Sequence, residues 1–129
     1  MTDATGDYHE ILRVLESYIE GSSKGDADKL KEVFHEEARM FGMAGGTRYD
    51  VPIAEFIAMA AAMPVDTGSY EGSVRSVTQV GDAAVAVVEE DGCWGNVSFV
   101  DFFSLARIEG VWKIVNKCFA HTAGEMPAE

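Results

Sequence analysis

FVDFFSLARIEGVWKIVNKCF, residues 99–119, is two alternating apolar runs on either side of Glu109-Gly110. Alternation with period two sends successive side chains to opposite faces of a sheet. A two-residue turn ending in glycine then folds the runs back as an antiparallel hairpin. The first run begins at Val97. Val97, Phe99, Phe103 and Leu105 share one face, and Ser98, Val100, Phe102, Ser104 and Ala106 share the other. Asp101 sits in the middle of the apolar row. An ionised carboxylate in apolar surroundings costs several kcal/mol unless it is paired, or it stays neutral by raising its pKa above about 3.9.

Upstream of the hairpin the pattern continues as strands. SVRSVTQV runs to a Gly81-Asp82 turn, AAVAVVEE follows, and Asp91-Gly92 is a further hairpin signal leading into CWGNVSFVDFF. The amino-terminal half has helical periodicity instead. Ile11, Leu12, Leu15, Tyr18 and Ile19 form one apolar stripe, predicting an amphipathic helix from an Asp7 N-cap to Gly21, before a GSSKG breaker. Asp26 caps a short second helix with Leu30, Val33 and Phe34 on its apolar side. ARMFGMAGGTRYDV reads as a weak hairpin or loop about Gly45-Gly46. VPIAEFIAMAAAM is a third helix, with Ile53, Phe56, Ile57 and Ala60 inward and Pro64 ending it. Helices followed by an antiparallel meander make an α+β fold with the helices on one face of a curved sheet.

The balance of 47% hydrophobic and 25% charged residues is that of a globular protein. One domain over residues 1–129 is expected, with an ordered core over about 7–121 and fraying ends. Twenty-two acidic residues against ten basic ones give a net charge of −12. That disfavours nucleic acid and anionic membrane surfaces, both of which are held by Lys and Arg. No apolar run reaches the ~18 residues of a membrane span, and the opening MTDATGDYHE is acidic, so a cytoplasmic location is expected. Cys93 and Cys118 lack CxxC spacing or a neighbouring histidine and are expected as reduced core thiols. The three histidines are far apart, with only HEE at 35–37 hinting at a ligand pair, so no metal is expected. MAGGTR lacks the lysine and following helix of a phosphate loop, and no serine-nucleophile motif occurs. No cofactor is expected.

SYIEGSSKGDADKLKEVFHEEARM, with Tyr18, seven residues, then Asp26, resembles the opening of nuclear transport factor 2-like domains. FVDFFSLARIEGVWKIVNKCF resembles their close, above all that of the putative lumazine-binding group. The resemblance implies a cone, in which three helices lean over a strongly bent antiparallel sheet of four to six strands and leave an apolar pocket at the open end. It implies no single activity, because the superfamily includes isomerases, dehydratases, cyclases and binding or assembly domains.

Among those enzymes the ketosteroid isomerases supply the sharpest comparison. A helix tyrosine and a protonated late-strand aspartic acid hydrogen-bond a developing enolate oxygen, and a second aspartate moves the proton. Tyr18 falls on the tyrosine and Asp101 on the late aspartic acid, while the proton-moving position falls on Gly42. Three roles are open to the Tyr18–Asp101 pair: a satisfied buried hydrogen bond, an anchor for a ligand, or a pair of catalytic oxyanion donors. Another base is open to Glu55, on a helix face that reads as solvated, or His121; His35 reads as a helix-terminal residue.

Leu15, Phe56, Phe99, Phe103, Phe119, Trp94 and His121 are the expected ligand-contacting residues, and Met40, Met43, Met59 and Met63 suit an adaptable apolar wall. Trp112 reads as structural. Arg39, Asn116 and Lys117 are polar among apolar neighbours, but the last strand's two faces are too alike to orient them. The reading as a whole is a domain that binds a small apolar molecule, with an isomerase-, cyclase- or dehydratase-like enzyme and a non-catalytic assembly domain as alternatives. Mixed small and aromatic side chains on the outer sheet face suit a homodimer.

Overall fold

The molecule is described by a computed structural model covering residues 4–127, with side chains from residue 6. Three helices, α1 (Ala4–Lys24), α2 (Ala27–Val33) and α3 (Ile53–Ala62), pack on one face of a sheet. Its strands are β1 (Phe34–Ala44), β2 (Thr47–Pro52), β3 (Glu71–Val80), β4 (Ala83–Cys93), β5 (Val97–Ile108) and β6 (Val111–Ala123). Their order across the sheet is β2-β1-β6-β5-β4-β3. The hairpins at Gly45-Gly46, Gly81-Asp82 and Glu109-Gly110 lie where their turn residues put them. Gly45, Gly46 and Gly110 all have positive φ, the conformation such tight turns need.

One pairing departs from the antiparallel expectation. β1 lies parallel to β6, Phe34 opposite Ile114 and Gly42 opposite Phe119. This contact joins residues far apart in the chain and leaves no local turn signal to read. The β1–β2 hairpin also falls between α2 and α3, so the helices do not all precede the strands.

The first helix is longer than its apolar stripe suggests. It runs through Gly21, Ser22 and Ser23, because α2 packs there: a β-carbon on Gly21 would stand 2.9 Å from Leu30 Cγ. Asp7 lies inside α1 rather than capping it, and its carboxylate binds Arg107 Nη1 at 2.6 Å and Gln79 Nε2 at 2.9 Å. Asp26 does cap α2, accepting from the Lys29 N–H at 3.1 Å.

Ile11, Leu15 and Tyr18 of α1, Leu30 of α2 and Ile53 and Ile57 of α3 are buried against Ala84, Ala86, Val88, Phe103, Leu105 and Ile114 of the sheet. Each large aliphatic side chain so buried contributes ~1.5–3 kcal/mol. Register shifts interrupt β3–β4, β4–β5 and β5–β6, and such bulges bend and twist a sheet. Among the stretches expected to fray, residues 1–3, 128 and 129 lie outside the described residues. Residues 122 and 123 continue β6, and Met126, partly buried, packs against the core.

Candidate functional site

The sheet and helices do not close completely. Between α3, the β1–β2 hairpin and the β4–β5 connection lies a cavity of about 470 Å³. Phe56 and Met59 of α3, with Met63 at its C-terminal cap, form one wall, Met40 and Tyr49 another, and Trp94, Phe99 and Phe119 a third. Trp94 holds its place by donating from Nε1 to the Met63 carbonyl at 3.2 Å. Met126 and Pro127 complete the mouth.

One end of this apolar cavity is polar. Glu90, Lys117 and Tyr18 reach its wall from β4, β6 and α1, and all three are almost fully buried. Asp101 stands immediately behind them with no exposed surface. Lys117 Nζ donates to Asp101 Oδ1 at 3.2 Å. The Tyr18 hydroxyl lies 3.1 Å from Glu90 Oε2 and 3.4 Å from Asp101 Oδ2. Tyr70, just before β3, donates to Glu90 Oε1 at 2.9 Å. The result is a continuous row, Tyr70, Glu90, Tyr18, Asp101 and Lys117, crossing three adjacent strands.

The row exists because of sheet register. Val88 is opposite Asp101, and Asp101 is opposite Phe119. Glu90 and Lys117 are therefore diagonal neighbours of Asp101 on the same face, a spacing that long side chains bridge. Lys117 is also enclosed by aromatic rings, its Nζ 4.6 Å from the centroid of Phe56, 5.0 Å from Phe119 and 5.6 Å from Tyr18. Ring faces attract a cation, so this ammonium is held by one carboxylate and three aromatic faces.

Charge is balanced within the row. The single ammonium compensates one of the two carboxylates, and the remaining carboxyl, Glu90, is pushed well above the ordinary carboxylate range. Burial is the main cause, followed by the charge of Asp101 and a hydrogen bond to it, against the smaller opposing pull of Lys117 and the Tyr70 hydroxyl. Burial also pushes the Tyr18 hydroxyl well up, helped by the charges of Asp101 and Glu90, so Tyr18 stays a proton donor. The Cys93 thiol on the cavity wall is raised for the same reasons, burial first, and is held as a thiol.

The sequence-derived residues divide accordingly. Phe56, Trp94, Phe99 and Phe119 line the cavity, as do Met40, Met59 and Met63. Leu15 and Phe103 do not. Both are buried behind the wall, where the Phe103 ring packs edge-on against Tyr18 with centroids 4.7 Å apart. His121 also faces elsewhere: its Nδ1 accepts from the Gly45 N–H at 3.1 Å, which leaves Nε2 to donate to the Gly124 carbonyl at 2.6 Å. Met43, Glu55 and Cys118 are exposed, the last against its expected place in the core. Cys93 and Cys118 are both free.

Tyr18 and Asp101 do meet, but with Asp101 as the acceptor. One of its oxygens faces Tyr18 and the other Lys117. Lys117, Glu90 and Tyr18 line the cavity, and Asp101 lies behind them. Glu90 was readable from its strand, because it shares parity with the buried Ala84, Ala86 and Val88. Gly42 has no room for an acidic side chain: a β-carbon there would stand 2.6 Å from the Phe119 carbonyl oxygen and 2.7 Å from its ring. Among the described residues no three His, Cys, Asp or Glu side chains are grouped to hold a metal. No described helix is long and apolar enough to cross a membrane.

A family model described as putative lumazine-binding matches residues 6–120. The chain belongs to that family. Its fold is that of the nuclear transport factor 2-like superfamily. An NTF2-like protein of unknown function from Shewanella baltica is 28% identical, with a TM-score of 0.86 over 96% of this chain and 100% of its own. Another from Silicibacter pomeroyi is 26% identical, with a TM-score of 0.85 over 94% and 100%. A ketosteroid isomerase-like protein from Erwinia carotovora atroseptica shares the fold at 14% identity, with a TM-score of 0.73 over 90% and 96%. Among curated proteins, the aldolase FrzH of a Cladobotryum species is 21% identical over 115 residues, 89% of this chain and 91% of that protein.

Proposed function

We propose that this family member binds a small, uncharged, mostly apolar molecule whose one polar end is a carbonyl or similar oxygen. The ring or hydrocarbon part lies among Phe56, Met59, Trp94, Phe99 and Phe119, and the oxygen lies at the Lys117–Glu90 end. Asp101 and Tyr18 are the polar groups that hold that end in place. The observation that carries this reading is an apolar cavity ending in a charge-balanced polar row. Its volume falls within the ~300–1,000 Å³ typical of small-molecule sites. An anion or cation entering it would upset a balance already achieved between Asp101 and Lys117, so a neutral ligand is favoured. A carbonyl oxygen accepts hydrogen bonds only, and a protonated Glu90 and the Lys117 ammonium are both donors.

Catalysis on such a carbonyl is the second reading. It is supported by the same donors and by the naming of the Cladobotryum relative as an aldolase. Tyr18 at the wall and Asp101 behind it would then serve an isomerase-, cyclase- or dehydratase-like reaction, with Lys117 and Glu90 beside the oxygen. A homodimer through the outer sheet face completes the proposal. Phe41, Cys118, Phe102 and Val87 follow one another across β1, β6, β5 and β4 on that face, and Phe102 is half exposed in the single chain.

Trp94 on the cavity wall supplies the test. Titration with cyclohexanone, cinnamaldehyde and lumazine should quench fluorescence saturably, and Trp94→Phe should abolish the response. Lys117→Met should weaken affinity for the responding carbonyl compound at least about tenfold, since a hydrogen bond to a charged group is worth ~1.5–3 kcal/mol. Equal affinity for methylcyclohexane, which has no oxygen, would overturn the reading.

A further inference from the structure

We infer that Lys117 is a nucleophile, forming an imine through Nζ with an aldehyde or ketone bound in the cavity. This deepens the reading above and rests on it. Four observations carry the inference. First, Lys117 reaches the cavity wall while it is almost fully buried, so its amine meets a ligand without meeting bulk water. Second, it is under-bonded for a structural lysine. An ammonium has three N–H donors, and this one has a single oxygen partner, Asp101, with Phe56, Phe119 and Tyr18 covering its other sides.

Third, the two proton transfers that imine formation needs have partners in place. Asp101 Oδ1, 3.2 Å from Nζ, is positioned to take a proton from the ammonium as the carbonyl compound is attacked. Glu90, a second carboxyl at the same end of the cavity, is held protonated by its burial and by the charge of Asp101 and is the acid. Fourth, Ser22, one turn along α1 from Tyr18, lines the same cavity with a buried hydroxyl that has no hydrogen-bond partner. Beside the Tyr18 hydroxyl, it adds a further polar group to this part of the wall.

The step balances. The Nζ lone pair forms a bond to the carbonyl carbon, the C=O π bond breaks onto oxygen, and a proton passes from nitrogen to that oxygen to give a carbinolamine. Glu90 then protonates the hydroxyl, water departs, and the nitrogen lone pair closes the C=N bond as a cationic imine. Asp101 has gained the proton that Glu90 has lost, and Tyr18, within hydrogen-bond reach of both, returns it. Net charge is unchanged throughout, and no oxidant or reductant takes part. A protonated imine draws electrons from the neighbouring carbon, which is the activation that carbon–carbon bond formation beside a carbonyl requires.

Reductive trapping tests this on the intact protein. Wild type is incubated with cyclohexanone or cinnamaldehyde in the presence of sodium cyanoborohydride, and sites are read by intact mass and peptide mapping. One probe per chain is expected on the Lys117 peptide, ahead of Lys24, Lys29, Lys31 and Lys113. Lys117→Arg should lose that label and leave labelling of the other four unchanged. Glu90→Gln should slow trapping at Lys117 about a hundredfold, as loss of a general acid does, without changing the other sites. Saturable Trp94 quenching with no trapping at Lys117 would overturn the inference and leave the binding reading standing. No quenching and no trapping would overturn both.

Discussion

Replacing Glu90 with glutamine isolates the electrostatics of the polar row. A buried carboxyl with a raised pKa binds a proton in the folded state that it has already lost in the unfolded chain. Stability changes with pH in proportion to protons bound unfolded minus protons bound folded. For Glu90 that difference is negative from its ordinary value near 4.5 up to its raised value in the fold. Its contribution is complete below 4.5 and is lost as pH rises through the folded value. One proton corresponds to a slope of about 1.4 kcal/mol per pH unit. Glutamine retains an acceptor and a donor in the same shape and does not titrate. Urea unfolding of wild type and Glu90→Gln at half-unit steps from pH 4.5 upward should therefore show the wild type losing ground steadily. The slope should approach about 1.4 kcal/mol per unit, within the window between the ordinary and the raised value. Acidic residues away from the polar row cancel in the difference. Two parallel curves, or a wild type that gains on the variant with pH, would refute the charge assignment, because either result means that Glu90 is ionised in the fold.

Lys117→Met strands the Asp101 carboxylate in the interior and should cost about 3–5 kcal/mol in urea unfolding, while Lys117→Met/Asp101→Asn should recover most of that. Gly42→Ala should destabilise by about 1–3 kcal/mol, as overpacking does. Phe119→Ala should relieve only part of it, since the Phe119 carbonyl oxygen stays 2.6 Å from the added carbon. Both costs are checked by denaturant midpoints. Phe102→Glu, on the exposed sheet face, should turn a dimer into a monomer by light scattering without changing thermal stability of the isolated chain.

How far the sequence led differs from element to element, for physical reasons. Gly45-Gly46, Gly81-Asp82 and Glu109-Gly110 were legible as turns because a hairpin is closed by its own local residues. Asp91-Gly92 carried the same signal and serves differently. β4 runs on to Cys93, the turn is at Trp94–Asn96, and Gly92 marks a bulge. The Ser69 backbone carbonyl occupies the space that a β-carbon on Gly92 would need.

The inward side of β5 was legible, including Asp101, because its alternation is unbroken from Val97 to Leu105. The inward side of β6 was not. A register shift against Ser104 and Leu105 changes parity, so that Trp112 and Ile114 face inward and then Lys117 and Phe119 do. The residue now placed at the head of the cavity is thus the one whose orientation no alternation rule could supply. Tyr70 lies outside any element, and Ser22 was hidden in what reads as a helix breaker.

The central claim is that a neutral carbonyl compound sits with its oxygen at the buried end of the cavity. The most direct measurement is a crystal structure of the wild type with whichever of cyclohexanone and cinnamaldehyde binds more tightly. The account predicts the carbonyl oxygen within about 3.2 Å of Lys117 Nζ or the Glu90 carboxyl, or a C=N bond to Nζ in its place, with the hydrocarbon against Phe56 and Phe99. A ligand seated with its oxygen at the mouth beside Met126 and its hydrocarbon against the polar row, or bound outside the cavity, would contradict it.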